Sequence, residues 1–556
     1  MKYINHRACI GLLFLSILLM GILVGCDLFE ETYILTVKIE GTGTGTVYPA
    51  EGEHEYDEDA VVDLTAISAD GSFFKEWDGD VAEIDSDETT VVMDADKLIV
   101  AIFDEYEYKL IEEKRLSFDL SDGENSLTLS SYGENDYAAV ILFPRDDDGF
   151  RHSVSSLTTE IDNDYPEASP ESLQKKADFL SHHEGKLCAT SSIDIQQMEM
   201  ETLVRHPTIS KTAGVLSVKA APEIGDTEEF NIFVEDEKRE AVLKGKNEKA
   251  LLWVTEESKE NVSGEDVQYY LDAFAEYYND LKDYFGREPV PDDFQVLQGI
   301  DSRVNILFSS FGPGGYFYPA DLYSADDYPS SNEGKIIYIN SDMPRDYTAG
   351  TIAHEYQHLL FFNEKALAGR MTNDVWINEG FSELAQDIAG YGYQQGVGEF
   401  KVEEYITEPY NAPLISWEQK TRDYGASYLF ARYIYDNFGR GILNEVSTSS
   451  ENPKYAIENY SGIEFHRIFE DWAITLLFEA LRLDSASKYT YSTITIPDIY
   501  GVIIDSDDGW NNWSIAGWGI SYTVITPGSG EDLSLAVDGA STTGEFWKTV
   551  IRWSDN

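Results

Sequence analysis

The sequence has few cysteines and few basic residues for its length. Three cysteines occur among 556 residues, and Lys and Arg number 40 against 102 Asp and Glu. The formal net charge is therefore −62 at pH 7. Because such a chain is repelled by phosphate backbones, the composition argues against nucleic acid as a partner. The acidity is interpreted as a solubility surface, with basic or cation-bridged partners left open.

Long apolar runs are also scarce, and beyond the N-terminal region none is long enough to span a bilayer. The run at residues 9–24 follows Lys2 and Arg7, a pattern typical of a secretory signal peptide. The tetrapeptide LVGC at its end resembles the bacterial lipobox, in which the Cys is lipidated and becomes the new N-terminus. The resemblance implies a signal peptide over residues 1–26 and a lipoprotein held outside the cytoplasm through Cys26. A plain signal peptide or a short anchor helix is the alternative.

The remaining composition indicates packed domains. Hydrophobic residues make up 42% of the chain and aromatic residues 13%, which is ample for globular cores despite the charge. If Cys26 is lipidated, Cys188 is the one thiol left outside the signal segment. No internal disulfide can then form, and a structural thiol is the interpretation of Cys188.

Residues 33–105 alternate apolar and polar positions between Gly-rich turns, which predicts a small β domain. Its landmarks are LTVKIEGTGTGTV, VVDLTAISADGSFFKEWDGD and MDADKLIVAIF. In this order they resemble the divergent internalin-type B repeat of bacterial surface proteins. The resemblance implies a stalk or contact module rather than a catalytic one.

Three further segments are predicted. Residues 106–255 keep a strand-like pattern and form a β-rich domain, either a prodomain-like shield or a substrate platform. Helically spaced aromatic residues and two β-branched runs, at 304–310 and 335–340, place an α+β domain over residues 256–480. Strand patterns return beyond it and predict a C-terminal β domain over residues 485–556.

Two histidines four positions apart lie in TIAHEYQHLL, an apolar stretch predicted to be helical. On a helix, His354 and His358 project from one face about a turn apart, a separation that suits one zinc ion. Glu355 can reach a water activated by the metal and accept its proton. The alternative is a helix whose histidines only cap or pack.

The segment WINEGFSE follows shortly and offers a carboxylate. Glu379 is separated from His358 by twenty residues, enough for one helix to end and a second to begin. A third protein ligand leaves a fourth position for water or a substrate carbonyl, as catalytic zinc requires. Glu383 lies one turn later and could accept the ring N–H of a ligating histidine, or it could be an exposed helix acid.

These segments resemble known zinc peptidases. WINEGF is similar to the third-ligand motif of the gluzincins, which include the aminopeptidase N and thermolysin groups, where the Glu of NE binds the metal. Together with YGASYLFARYIYDNFG, the segments look most like the hyicolysin-type bacterial peptidases over residues 314–439. The resemblance implies a multi-domain chain with an α+β, thermolysin-like catalytic domain, one zinc ion and endopeptidase activity on proteins or peptides.

The same resemblance implies a role for Tyr424 at the start of a predicted amphipathic helix. In aminopeptidase N-like enzymes a Tyr at the matching place donates its proton to the oxyanion of the tetrahedral intermediate. Packing is the alternative, since the chain has 35 tyrosines, and Tyr428 is a weaker candidate. The gap before Glu379 is longer than in aminopeptidase N relatives, and the Gly-x-Met-Glu-Asn element that holds a substrate amine is missing. Both departures favour cleavage inside chains.

The expected function is a lipid-anchored, zinc-dependent endopeptidase outside the cytoplasm, on the periplasmic face or the cell surface. The alternative is a surface adhesin or binding lipoprotein with an inactive or structural zinc domain, and the intact Glu355 argues against it. Residues 312–318 and the strand at 335–340 precede the zinc helix, where the resemblance to gluzincins implies a sheet edge that binds an extended substrate. Calcium is a weak expectation from residues 146–148 and 505–508, whose acidic turns lack a full set of ligand positions.

Overall fold

The computed structural model comprises two compact units, Met1–Glu105 and Tyr106–Asn556. None of the helices it describes combines the length and apolarity needed to cross a bilayer. The described residues are 32–58, 60–68, 72–84, 86–105, 108–119, 125–131, 136–145, 147, 151–159, 220–369, 374–481, 483–484, 490–491, 494–496, 513–525, 533–539 and 545–555.

The first unit consists of two small β-sheets around one core. The sheet orders are β3-β1-β7-β5 and β2-β4-β6, and residues such as Leu35, Leu64 and Phe103 are buried in a core that both sheets share. The predicted strand alternation is confirmed. The strands are β1 (Thr32–Glu40), β2 (Gly45–Tyr48), β3 (Gly52–Asp57), β4 (Val61–Ser68), β5 (Ser72–Asp78), β6 (Glu88–Val92) and β7 (Lys97–Glu105).

Glycines are required where the turn after β1 passes close to β7. Gly41 has a φ of +109°, and a Cβ there would lie 1.9 Å from the backbone oxygen of Phe103. At Gly45 a Cβ would lie 2.3 Å from Cε1 of the Phe103 ring. Only glycine fits at these two positions, which accounts for part of the Gly-Thr-Gly-Thr-Gly run.

The second unit begins with strands β8 (Tyr108–Asp119), β9 (Asn125–Leu129), β10 (Asp136–Pro144) and β11 (Arg151–Thr159). A separate six-stranded sheet follows, in the order β12-β13-β14-β15-β17-β16. Strands β14, β15 and β17 run parallel, whereas β16 is antiparallel and lies at the edge. Its strands are β12 (Thr227–Ile232), β13 (Glu237–Lys246), β14 (Ala250–Thr255), β15 (Val304–Ser309), β16 (Gly315–Phe317) and β17 (Ile336–Asn340).

Helices pack against one face of this sheet, whereas its other face packs against residues of the segment 311–328. Ser263 caps the first helix by accepting the Asp266 N–H at 3.2 Å, and Gly286 ends it. The second helix is buried on almost every side, so it shows no strong separation of polar and apolar faces. The helices are α1 (Gly264–Phe285), α2 (Arg345–Leu367), α3 (Val375–Ile388), α4 (Glu399–Thr407), α5 (Thr421–Phe438), α6 (Arg440–Thr448), α7 (Pro453–Ser461) and α8 (Phe465–Leu481).

The last strands return to the first strands of this unit and complete a sandwich with them. One sheet has the order β18-β8-β22-β10-β20 and the other β19-β11-β21-β9. Strand β22 therefore lies between β8 and β10 and pairs antiparallel with both. The strands are β18 (Leu483–Asp484), β19 (Trp513–Ala516), β20 (Ser521–Ile525), β21 (Leu533–Gly539) and β22 (Glu545–Asp555).

This pairing differs from the division expected from the sequence. The sequence predicts separate β domains over residues 106–255 and 485–556, whereas strands β8 to β11 and β19 to β22 share two sheets. Strands β12 to β14 instead belong to the sheet of the α+β region predicted over residues 256–480. An alternating pattern shows which face of a strand is buried but not which strand lies beside it, and this explains the difference.

Helix α8 connects the sandwich to the other helices. The ring of Phe469 lies 5.0 Å from that of Phe143 on β10, measured between centroids. Glu470 is buried and lies 3.2 Å from a guanidinium nitrogen of Arg115 on β8. The Tyr522 hydroxyl donates to the Ala473 carbonyl oxygen at 2.8 Å. The expected order of N-terminal strands, a central helical region and C-terminal strands is confirmed.

Candidate metal centre

Helix α2 carries three of the predicted site residues in its middle. His354, Glu355 and His358 are 3%, 0% and 1% exposed. The two imidazole centroids are 4.8 Å apart and the ring planes meet at 78°. The four-residue spacing therefore brings both rings to one side of the helix, as helix geometry dictates.

Helix α3 brings Glu379 to these rings. Its Oε2 atom lies 3.2 Å from Nε2 of His354, and its Oε1 atom lies 3.6 Å from Nε2 of His358. One ligand atom from each of the three residues lies within 4.8 Å of the other two. In the ranges that the structure describes, this is the one group of at least three His, Cys, Asp or Glu with such geometry.

A glycine lets α3 approach α5 closely at this point. A Cβ at Gly380 would lie 2.5 Å from the backbone oxygen of Ser427. Any larger residue would push the two helices apart. The Gly of the WINEGF segment thus has a packing role that fixes where the neighbouring Glu379 lies.

The chemistry of the three residues fits a zinc ion. His354 Nε2 and Glu379 Oε2 are buried and neither has a hydrogen-bond partner in the described residues, although they are 3.2 Å apart. Buried polar atoms are normally satisfied, and a cation between these residues would satisfy both. Two imidazole nitrogens and one carboxylate oxygen form a known donor set of catalytic zinc. The group can therefore hold a metal, and its donor set fits zinc.

The electrostatics of the group also favour a cation. Burial opposes a charge on His354, but the carboxylates of Glu379 and Glu383 raise the pKa of His354 to about 10. Burial likewise opposes ionisation of Glu379, yet the His358 and His354 imidazoles lower the pKa of Glu379 to about 2. The site holds a proton firmly when no metal competes for it. Metal binding would displace that proton.

The second ring nitrogen of His354 faces two side chains of α3. Glu383 Oε1 lies 3.2 Å from Nδ1, and Gln386 Nε2 also lies 3.2 Å from it. Lys401 on α4 places its Nζ atom 2.7 Å from the same Glu383 oxygen. Glu383 is thus positioned to accept a hydrogen bond from Nδ1–H, an arrangement that leaves Nε2 for a metal.

Sequence reasoning does not identify Ser382, Gln386 or Lys401. Ser382 lies three positions after Glu379, and its Oγ is 3.2 Å from Nδ1 of His358. Gln386 lies three positions after Glu383, so helical spacing could have indicated both residues. Lys401 lies eighteen residues beyond Glu383 on another helix, and no local pattern marks it.

The edge strand β16 passes directly beside Glu355. A Cβ added at Gly315 would lie 2.9 Å from Glu355 Oε1 and 2.7 Å from Thr351 Cγ2. The absence of a side chain at Gly315 therefore leaves space for the predicted base. Because no side chain intervenes at Gly315, the backbone of the edge strand lies close to the same carboxylate.

Tyr424 lies in the first turn of α5 and is fully buried. Its ring centroid is 4.9 Å from that of Trp417, and the Lys401 Nζ atom lies 5.2 Å from it. The structure thus brings Tyr424 to the ion pair of Lys401 and Glu383. The Tyr428 hydroxyl instead donates to the Asp387 carboxylate on α3, so Tyr428 is engaged elsewhere.

Other sequence predictions fall largely outside the described residues. Cys26 and the rest of the lipobox do so, as does the acidic turn at 505–508. Of the turn at 146–148, Asp147 alone is described. Its carboxylate accepts the Trp518 indole N–H at 2.9 Å and pairs with Lys454. Asp147 therefore gives no support to the calcium expectation.

Two parts of the chain are similar to known proteins. Residues 35–107 match the family described as the divergent InlB B-repeat domain, which confirms the resemblance of the N-terminal module. The chain is also similar to the neutral metalloprotease ShpI of Staphylococcus hyicus, with 29% identity over 258 residues that cover 40% of this chain and 54% of that protein. The chain thus spans about half the length of this curated relative. The similarity supports a metallopeptidase family for the matched part of the chain.

Proposed function

We propose that the chain is a zinc-dependent endopeptidase whose catalytic domain is a gluzincin of the hyicolysin type. The observation that carries the proposal is the buried group of His354, His358 and Glu379, with Glu355 next to His354 in the sequence and beside the edge strand β16. Similarity to a neutral metalloprotease supports the same reaction class.

The side chains divide the work of peptide hydrolysis. When bound, zinc supplies a Lewis acid that polarises the scissile carbonyl and lowers the pKa of a water molecule. Glu355 accepts a proton from the attacking water and passes it to the leaving amine. Tyr424 donates a hydrogen bond to the oxygen of the tetrahedral intermediate. Glu383 holds His354 through Nδ1.

An extended peptide would bind along β16. This strand pairs with β17 on one side and is the last strand of its sheet. A substrate strand would pair with the backbone N–H and C=O groups on the outer side of β16, which lie in buried residues in the structure of the free chain. Pairing of this kind recognises the peptide backbone rather than a chain end, so it supports cleavage inside protein substrates.

Casein hydrolysis with parallel zinc analysis tests the proposal. We expect about one zinc per chain and proteolysis that a zinc chelator abolishes and added zinc restores. Glu355→Gln is expected to retain zinc and lose about 10²- to 10⁴-fold in rate. Glu403→Gln, an exposed change on α4, is the matched control and should behave as the wild type. A wild-type protein that binds no zinc would contradict the proposed site.

A surface adhesin or binding lipoprotein is the second candidate, and the match of residues 35–107 to the divergent InlB B-repeat favours it. The metal domain would then be inactive or structural. Bound zinc without cleavage of casein, even after limited proteolysis of the β region, would favour this function.

Peptides blocked at both ends separate endopeptidase from exopeptidase action, because only an endopeptidase cleaves them.

We also propose that Cys26 is lipidated and holds the protein to a membrane outside the cytoplasm. The basis is the LVGC segment after an apolar run. Metabolic labelling with a fatty-acid probe tests this. The label should appear on the wild-type protein and disappear in Cys26→Ala. An unlabelled wild-type protein would contradict lipidation.

A further inference from the structure

Lys401 is a buried lysine that connects α4 to the candidate metal centre. It is 6% exposed, and its Nζ atom lies 2.7 Å from Glu383 Oε1. The same oxygen lies 3.2 Å from Nδ1 of His354. A line of three charged or polar groups thus runs from α4 through α3 to a predicted ligand on α2.

The backbone at Lys401 is fixed as firmly as the side chain. A Cβ at Gly425 would lie 2.1 Å from the Lys401 carbonyl oxygen, so α5 touches α4 at this residue. The ammonium lies 5.2 Å from the centroid of the Tyr424 ring, within the range of a cation–π contact. Lys401 therefore lies where α3, α4 and α5 meet.

Burying a charged lysine at this place costs free energy unless its charged partner is retained. Burial opposes the ammonium charge, whereas Glu383 raises the pKa of Lys401 above its ordinary value. A buried pair of this kind contributes less to stability than its Coulombic attraction suggests, because both groups lose hydration. Stability alone therefore does not explain why a lysine is buried here. A need to fix the Glu383 carboxylate beside His354 does explain it.

We propose that Lys401 is a positioning residue of the metal centre, which holds Glu383 against His354 so that the imidazole presents Nε2 to the metal. The inference rests on the proposed metal site but not on peptidase activity. It assigns to α4 a part in the site although none of the predicted ligands or catalytic residues lies on that helix.

Zinc affinity of the full chain, measured by competition with a chromophoric chelator, tests this role. Lys401→Met keeps the length of the side chain and removes its charge, and we expect zinc to bind about 10- to 100-fold more weakly. Lys401→Arg should restore most of the affinity. The visible spectrum of the Co²⁺-substituted protein reports ligand geometry, and it should change in Lys401→Met and return towards the wild type in Lys401→Arg.

Lys365→Met is the matched control. Lys365 is a buried lysine on α2 itself, and its ammonium donates to the carbonyl oxygens of Val446 and Ser449 at 2.5 and 3.0 Å. Its loss should lower the denaturation midpoint without changing zinc affinity or the Co²⁺ spectrum. Lys401→Gln provides a second measurement if Lys401→Met does not fold.

A double-mutant cycle with Glu383→Gln separates an indirect role from a direct one. If Lys401 acts through Glu383, the double variant should bind zinc about as weakly as the weaker single variant. Losses that multiply would overturn the proposal, as would unchanged affinity in Lys401→Met or an equal loss in Lys365→Met. A wild-type chain without zinc affinity would overturn the metal site as well. Zinc affinity without casein cleavage would count against the peptidase function alone.

Discussion

The candidate metal centre and the ion pair of Lys335 and Glu288, which lies between α1 and β17 in the sequence, both contain charged side chains with little exposure to solvent. The two regions differ in how the polar atoms of these side chains are hydrogen-bonded. In the second region, Lys335 Nζ lies 2.7 Å from Glu288 Oε2, and the Tyr278 hydroxyl donates to the other oxygen of Glu288. In the metal centre, His354 Nε2 and Glu379 Oε2 converge without a hydrogen bond. Complete pairing indicates a structural role, whereas converging unsatisfied atoms indicate room for a ligand.

The largest change in stability is expected when the metal centre loses its ability to bind zinc. Zinc should stabilise the wild-type protein against urea by about 4 kcal/mol at a free concentration 1,000 times its dissociation constant. Glu379→Gln should lose most of this zinc-dependent increment, because a neutral amide is a poor substitute for a carboxylate ligand. Urea unfolding with and without zinc measures the increment. An undiminished increment would remove Glu379 from the site.

Glu288→Gln is the matched change in the structural region. It leaves the Lys335 ammonium, 4% exposed, without its charged partner, which should cost about 3 kcal/mol of unfolding free energy. The cost should be the same with and without zinc, and the zinc-dependent increment should remain. If Glu288→Gln changed the increment as Glu379→Gln does, the contrast between the two regions would fail.

Asp321 is a third buried acid, and its carboxylate accepts hydrogen bonds from neutral donors. It accepts from the Tyr338 hydroxyl at 2.5 Å and from the Asn332 backbone N–H at 2.6 Å. Burial raises the pKa of Asp321 to about 7. The folded state therefore binds more protons than the unfolded state between pH about 4 and about 7, and stability falls as pH rises through this window.

Asp321→Asn should remove that dependence because an amide carries no charge. Its oxygen can accept the Asn332 N–H, and its NH₂ group can donate to the Tyr338 hydroxyl oxygen. Above pH 7 the variant is expected to gain about 2 kcal/mol over the wild type, less than the full shift would give. Urea midpoints from pH 4 to pH 8 measure the difference. Parallel curves for the two proteins would show that Asp321 does not titrate in this window.

The smallest expected effect is steric. Gly315→Ala places a Cβ 2.9 Å from Glu355 Oε1, so the carboxylate must shift. Stability should fall by about 1 kcal/mol, and casein hydrolysis by roughly tenfold if the shift costs a similar amount in the transition state. Zinc content should not change. Wild-type activity in Gly315→Ala would show that the Glu355 carboxylate can adopt a catalytically competent position despite the added Cβ.

The sequence predicts the site better than the architecture because the site is built from local patterns. His354, Glu355 and His358 lie within one stretch of helix, and the helix around Glu379 follows after a short connection. Strand β15, strand β17 and helix α1 were also indicated by periodicity. Geometry then brought these elements together as the motifs imply.

Long-range contacts carry no such signal. Lys401 reaches Glu383 from another helix, and its immediate neighbours in α4 show only an ordinary buried face. The pairing of β22 with β8 and β10 joins residues as far apart along the chain as Tyr108 and Asp555. Nothing in either segment encodes which strand will lie beside it, so the sequence predicts two separate β domains where the structure has one sandwich.

Strand β22 has a consequence for how the protein is made. During synthesis, β8 and β10 emerge long before the strand that must lie between them, and the whole metal-binding region is produced in the meantime. Their backbone edges stay unpaired through that interval, a condition that favours association with other chains. Closing the sandwich therefore has to wait until β22 has been synthesised. A ribosome stalled before β22 would release a chain with the candidate metal ligands present and the sheet that supports α8 unfinished.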